Sequence, residues 1–148
     1  MDKKRTGAAS TRGGGTPLTT ERSAPLVLLV DDLADQRTMY REYLEYAGFG
    51  VALAGSAPEG IAKAIEMQPD VVVMDLSMPG IDGFEATKVL KAVAVTRHIP
   101  VVAFTAHSPH LPKEWAVAAG CDGYLQKPLL PHDLAQQIVA LLKTRPGS

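Results

Sequence analysis

A single cysteine, Cys121, stands in the 148-residue chain, so no internal disulfide can form and a reducing compartment suits it. Long apolar runs are missing too. Stretches such as Leu26–Val30 and Val71–Met74 are far too short to span a bilayer. The basic N-terminus has no apolar stretch behind it, which argues against a secretory signal. These absences lead to the expectation of a cytoplasmic chain with no membrane contact. Nucleotide signatures are also lacking: neither G-x-G-x-x-G nor G-x-x-x-x-G-K-[ST] follows a strand-like run. Net charge is only −1, and it is unevenly spread. Residues 1–24 hold five basic and two acidic side chains, a net +3, and the remaining ten basic and 14 acidic residues give −4. A mildly acidic body does not suit nucleic-acid binding through a broad basic face.

What is present divides at Pro25. Residues 1–24 contain Gly7, Gly13–Gly15 and many Ser and Thr without apolar periodicity, a composition that predicts a disordered tail. Beyond it, apolar runs alternate with amphipathic stretches. Leu26–Val30 reads as a strand covered on both faces. In residues 33–47, Tyr40, Tyr43, Leu44 and Ala47 mark one helical face, with Gly48 as the stop. Val51–Ala54 is a short strand. Residues 58–67 form a helix with Pro58 in its first turn and Ile61, Ala64 and Ile65 on one face. Val71–Met74 is a buried strand, and Gly83–Val93 a helix with Phe84 and Leu90 inward. Val101–Phe104 is a strand, Lys113–Ala119 a helix stopped by Gly120, and Gly123–Gln126 a strand. Residues 132–143 carry Leu134, Ile138, Leu141 and Leu142 on one stripe. Five βα units predict a doubly wound α/β domain over residues 25–145, a three-layer sandwich around a five-stranded parallel sheet.

Ligand sites in such sheets lie beyond the carboxyl ends of the strands. Strand one delivers Asp31 and Asp32 there, strand three Asp75, strand four Thr105 and strand five Lys127, while strand two brings only Gly55 and Ser56. Each has a plainer reading. Asp31 or Asp32 could cap the first helix, Asp75 could form a structural ion bridge with Lys127, Thr105 could bond to backbone, and Lys127-Pro128 could be a turn. The plain readings do not explain the joint placement. Carboxylates a few ångströms apart repel by about 1 kcal/mol in water and about 4 at an intermediate dielectric, so the cluster calls for a cation. Mg²⁺ suits hard oxygen ligands, and no His or Cys among the five residues favours zinc or copper. Phosphoryl transfer fits the set: Asp75 can attack phosphorus while Mg²⁺ and Lys127 neutralise charge on the transferring oxygens.

Asp31-Asp32, the run Met74-Asp75-Leu76-Ser77-Met78-Pro79-Gly80-Ile81-Asp82-Gly83, Phe104-Thr105-Ala106 and Tyr124-Leu125-Gln126-Lys127-Pro128 together resemble the response-regulator receiver domain. Thr105 lies 30 residues after Asp75 and Lys127 22 after Thr105, spacings that resemble the family's. The resemblance covers about residues 25–143. It implies the flavodoxin-like fold and phosphorylation of Asp75 by a histidine kinase or histidine phosphotransfer protein, followed by binding of a protein target. It assigns Mg²⁺ to Asp31, Asp32, Asp75 and the backbone carbonyl of Ser77, and phosphoryl contact to Lys127. Thr105 would bond to the phosphoryl group after transfer, and Tyr124 would turn inward, although Tyr124 also reads as an amphipathic edge residue. The Lys127-Pro128 peptide is expected to be cis.

Several details depart from the common pattern. The last helix opens Leu130-Pro131-His132-Asp133 without a capping side chain, so a frayed start is expected. Ser77 and His107, each two residues past a key position, flank the expected phosphoryl site, with His107 read as exposed and inert. Trp115 reads as core packing ahead of partner contact. The expected product is a signalling switch that modifies itself and is not a turnover enzyme. The competing class is a Mg²⁺-dependent phosphatase or phosphotransferase with an aspartate nucleophile. Such enzymes place a general-acid Asp where this chain has Ser77, and use a cap for which no insertion is long enough.

Overall fold

Alternation inside the strands explains how the sheet is covered. The computed structural model of the protein describes residues 24–76, 83–106 and 113–143. Its strands are β1 (Leu26–Val30), β2 (Gly50–Ala54), β3 (Val71–Met74), β4 (Val101–Ala106) and β5 (Gly123–Lys127). They are interleaved with helices α1 (Ala34–Tyr46), α2 (Ala57–Met67), α3 (Gly83–Ala92), α4 (Lys113–Ala119) and α5 (Pro131–Lys143). All pairings are parallel, in the order β2-β1-β3-β4-β5. Leu28, Val30, Val72, Met74, Val101 and Ala103 pack on one face with Ala64, Ala86, Leu90 and Ala116 from α2, α3 and α4. Val27, Leu29, Val71, Val73, Val102 and Phe104 pack on the other with Tyr40 and Leu44 of α1 and Leu134 and Ile138 of α5. Strands that must be apolar on both faces read as unbroken aliphatic runs, each buried Val or Leu contributing about 1.5–3 kcal/mol.

Because β1 pairs with both β2 and β3, the chain leaves β1 in one direction and later returns on its other side. That reversal opens a crevice at the carboxyl ends of β1 and β3.

Boundaries shift by one or two residues from the sequence expectations, most visibly at β4, which runs on through Thr105 to Ala106. Two expectations need correction. Ile65 is 43% exposed, because the buried stripe of α2 is the small set Ala57, Gly60 and Ala64. That stripe lets the helix come so near β1 that a Cβ on Gly60 would lie 2.8 Å from Val30 Cγ2, and Ile65 is left at the rim. Ala47 likewise falls outside the face that buries Tyr40 and Leu44, at the exposed C-cap of α1. At the start of α5, Pro131 occupies the first position, and the Leu130 carbonyl accepts the N–H groups of Asp133 and Leu134 at 2.9 and 3.1 Å.

Gly83 is held to glycine by a close approach. A Cβ there would collide with the Asp75 carbonyl oxygen and stand 2.7 Å from Leu76 Cα, both backbone atoms that cannot step aside. Gly83→Ala is therefore expected to lower stability by about 1–3 kcal/mol, read as a lower urea midpoint. An unchanged midpoint would mean that α3 moves freely against the end of β3.

Candidate functional site

Each side chain of the site is delivered by a strand end. The Asp31 N–H bonds to the Ala54 carbonyl and the Asp75 N–H to the Val30 carbonyl, both at 3.0 Å, so the sheet ladder carries the two aspartates to the crevice. Asp31 is 1% exposed and Asp75 4%, while Asp32 faces solvent. One carboxylate oxygen from each of the three lies within 4.8 Å of the others.

Lys127, at the end of β5, reaches across to this group. Its Nζ donates to Asp31 Oδ2 at 2.8 Å and to Gln36 Oε1 at 2.7 Å, and stands 3.5 Å from Asp75 Oδ2. It also lies 5.2 Å from the centre of the Phe104 ring, where the ring face favours a cation. The Lys127-Pro128 peptide is cis. Just beyond it, the Leu129 carbonyl accepts a hydrogen bond of 2.7 Å from the Tyr40 hydroxyl, whose ring packs edge-on against Phe104. Burial raises the Tyr40 hydroxyl pKa, and the Asp31 charge adds to this, against opposing effects of Lys127 and the bond to Leu129.

The plain reading of Asp31 as a helix cap is not what the structure shows. The N-cap of α1 is Leu33, with no side-chain cap bond. Asp31 Oδ1 instead accepts the Leu33 N–H at 2.9 Å, a local turn that leaves Oδ2 for Lys127. Thr105 is fully buried, and its hydroxyl has no hydrogen-bond partner among the described residues. That contradicts the reading of Thr105 as a hydroxyl satisfied by backbone. A buried hydroxyl left without a partner is costly. Register puts Thr105 two residues beyond Ala103, which pairs with Met74 on one side and Tyr124 on the other. Tyr124 is partly buried against the same face. Ser77 and His107 lie outside the described residues.

Three carboxylates against one ammonium leave this cluster with a deficit of two positive charges. The donors are all hard oxygens, so the residues present fit a divalent cation such as Mg²⁺.

The sequence profile of the response regulator receiver domain matches residues 27–139, most of the chain. The chain belongs to that family. The receiver is 37% identical to protein PilH of Pseudomonas aeruginosa over 116 residues, 78% of this chain and 96% of PilH. It is 33% identical to the transcriptional regulatory protein ResD of Bacillus subtilis over 117 residues, 79% of this chain but only 48% of ResD. Among solved structures, Vibrio cholerae chemotaxis protein CheY4 superposes with a TM-score of 0.74 at 32% identity, covering 80% of this chain and 98% of that one. Receivers of two-component systems work in general by phosphorylation on an aspartate, and the relatives are signalling response regulators. Among the described residues, no helix is long and apolar enough to cross a membrane.

Two contributors escaped the sequence reading. Gln36 holds Lys127, and the Arg37 guanidinium donates to the Asp31 carbonyl at 2.6 Å. Both sit in the first turns of α1, and nothing in their spacing distinguishes them from solvent-facing helix residues. Trp115, expected in the core, is 55% exposed: α4 buries only Ala116 and Ala119, and the indole rests edge-on against Phe84 at 6.0 Å.

Proposed function

We propose that this receiver is a phosphoacceptor switch that takes a phosphoryl group onto Asp75 from a histidine kinase or histidine phosphotransfer protein and then binds a protein target. The observation that carries the proposal is the meeting of Asp31, Asp32, Asp75 and Lys127 at one end of the sheet. Asp75 supplies the nucleophile: a carboxylate oxygen forms the new bond to phosphorus as the phosphorus–nitrogen bond of a phosphohistidine breaks. The leaving imidazole keeps the electron pair. Lys127 neutralises a transferring oxygen, and Asp31 holds the ammonium in place. Asp31, Asp32, Asp75 and the Ser77 carbonyl would hold Mg²⁺, which would supply charge neutralisation to the transferring oxygens.

Once attached, the phosphoryl group brings nearly two negative charges and three acceptor oxygens. The Thr105 hydroxyl gains in it the acceptor that it lacks, and its shift makes room for Tyr124 to turn inward and alter the β4–β5 surface. In this reading the chain is no turnover enzyme, acts in the cytoplasm without membrane or nucleic-acid contact, and has its working unit in residues 25–145, with 1–24 as a tail.

Phosphoramidate, a small donor with a phosphorus–nitrogen bond, tests this directly. With Mg²⁺ present, an acyl-phosphate ³¹P resonance is expected on the folded protein, and chelation by EDTA is expected to abolish its formation. No such resonance at any Mg²⁺ concentration, with the fold intact, would leave a constitutive binding module as the better account.

A further inference from the structure

The Lys127 ammonium has three N–H donors and finds three acceptors among the described residues: Gln36, Asp31 and, at longer range, Asp75. Two of these follow from the charge of the site. The shortest does not, since Gln36 is neutral, comes from α1 rather than from a strand end, and bonds at 2.7 Å. An unbranched lysine stem has many rotamers, and one carboxylate fixes only one of its hydrogen bonds. A second fixed acceptor, set at an angle to Asp31, defines where the remaining N–H points. Here the third acceptor is Asp75 Oδ2, at 3.5 Å.

We infer that Gln36 is a positioning residue for phosphoryl transfer: with Asp31 it anchors the Lys127 ammonium so that its third donor meets the phosphoryl oxygen arriving at Asp75. The inference rests on the phosphoacceptor reading of Asp75. It predicts that the anchor works in both states. When a phosphoryl oxygen replaces the Asp75 carboxylate as the third acceptor, the bonds to Gln36 and Asp31 stay in place. Removing the anchor lets the ammonium swing among the carboxylates, so fewer encounters with donor find it aligned. An acceptor atom at the same reach, whatever its charge, should hold it.

The test is the rate of acyl-phosphate formation from phosphoramidate at saturating Mg²⁺, for wild type, Gln36→Leu and Gln36→Glu. The Leu variant is expected to be about tenfold slower, which corresponds to about 1.4 kcal/mol in the barrier. The Glu variant, which keeps an oxygen at that position, is expected within about threefold of wild type, the spread a retained charge-assisted bond allows. Rescue by Glu assigns the effect to the acceptor oxygen rather than to the amide NH₂, whose contacts would be lost in both variants. Should the Leu variant fail to fold, Gln36→Ala takes its place with the same expectation. A Leu or Ala variant as fast as wild type would overturn the inference while leaving Asp75 as acceptor. A Glu variant as slow as Leu would overturn it as well. No acyl phosphate on wild type would remove the underlying reading, and this one with it.

Discussion

Lys127→Met is expected to unfold about 3–5 kcal/mol more easily than wild type in metal-free buffer and to take up phosphoryl groups at least a hundredfold more slowly. The methionine replaces the stem and removes the charge. Asp31 and Asp75, almost completely buried, then face each other without the cation that lies 2.8 Å from one and 3.5 Å from the other. Deleting one partner of a buried ion pair leaves the other charge desolvated and short of a counter-charge, and here two carboxylates lose the same cation. Mg²⁺ should restore much of the lost stability, since a divalent ion in the carboxylate cluster supplies what the ammonium no longer does. Urea unfolding with and without Mg²⁺ measures both effects. A midpoint that neither falls on substitution nor recovers with Mg²⁺ would mean that the cluster carries little electrostatic strain.

Asp75→Asn should move stability the other way. One of three mutually repelling carboxylates becomes neutral, while Lys127 keeps Asp31 and Gln36. The lost attraction at 3.5 Å is the weakest of the three contacts, so relief of repulsion wins, and a gain of about 1–2 kcal/mol without Mg²⁺ is expected. Phosphoryl uptake should vanish in the same variant. Stability gained where function is lost is the mark of a site arranged for chemistry at some cost to the fold. Destabilisation as large as that of Lys127→Met would instead make Asp75 a structural bridge, the plain alternative that its pairing with Lys127 allows.

The parts of this fold that could be read from the residues are those where burial allows no choice. β1 and β3 lie between helices on both faces, so Leu26–Val30 and Val71–Met74 had to be aliphatic throughout, and each run ends where its aspartate begins. Parallel strands bring those ends to one edge, so Asp31, Asp75, Thr105 and Lys127 could be placed together before any distance was known. Helix faces were less readable. Along α2, small residues do the packing because Gly60 rides on Val30, and hydrophobicity alone nominates Ile65, which lies at the rim. Along α4, a helix that buries only alanines leaves its tryptophan outside. Gln36 and Arg37 look like surface helix positions until Lys127 and the Asp31 carbonyl are found beside them. The Gln36 contact joins residues 91 positions apart, and the Arg37 contact, six residues apart, goes to a backbone carbonyl, so neither has a signature in side-chain spacing.

Whether Asp75 accepts the phosphoryl group is decided by intact mass after incubation with acetyl phosphate and Mg²⁺. A labile gain of one phosphoryl group on wild type and none on Asp75→Asn is the result expected. Equal gain on both proteins would place the acceptor elsewhere, and no gain on wild type, with the fold intact, would contradict the account.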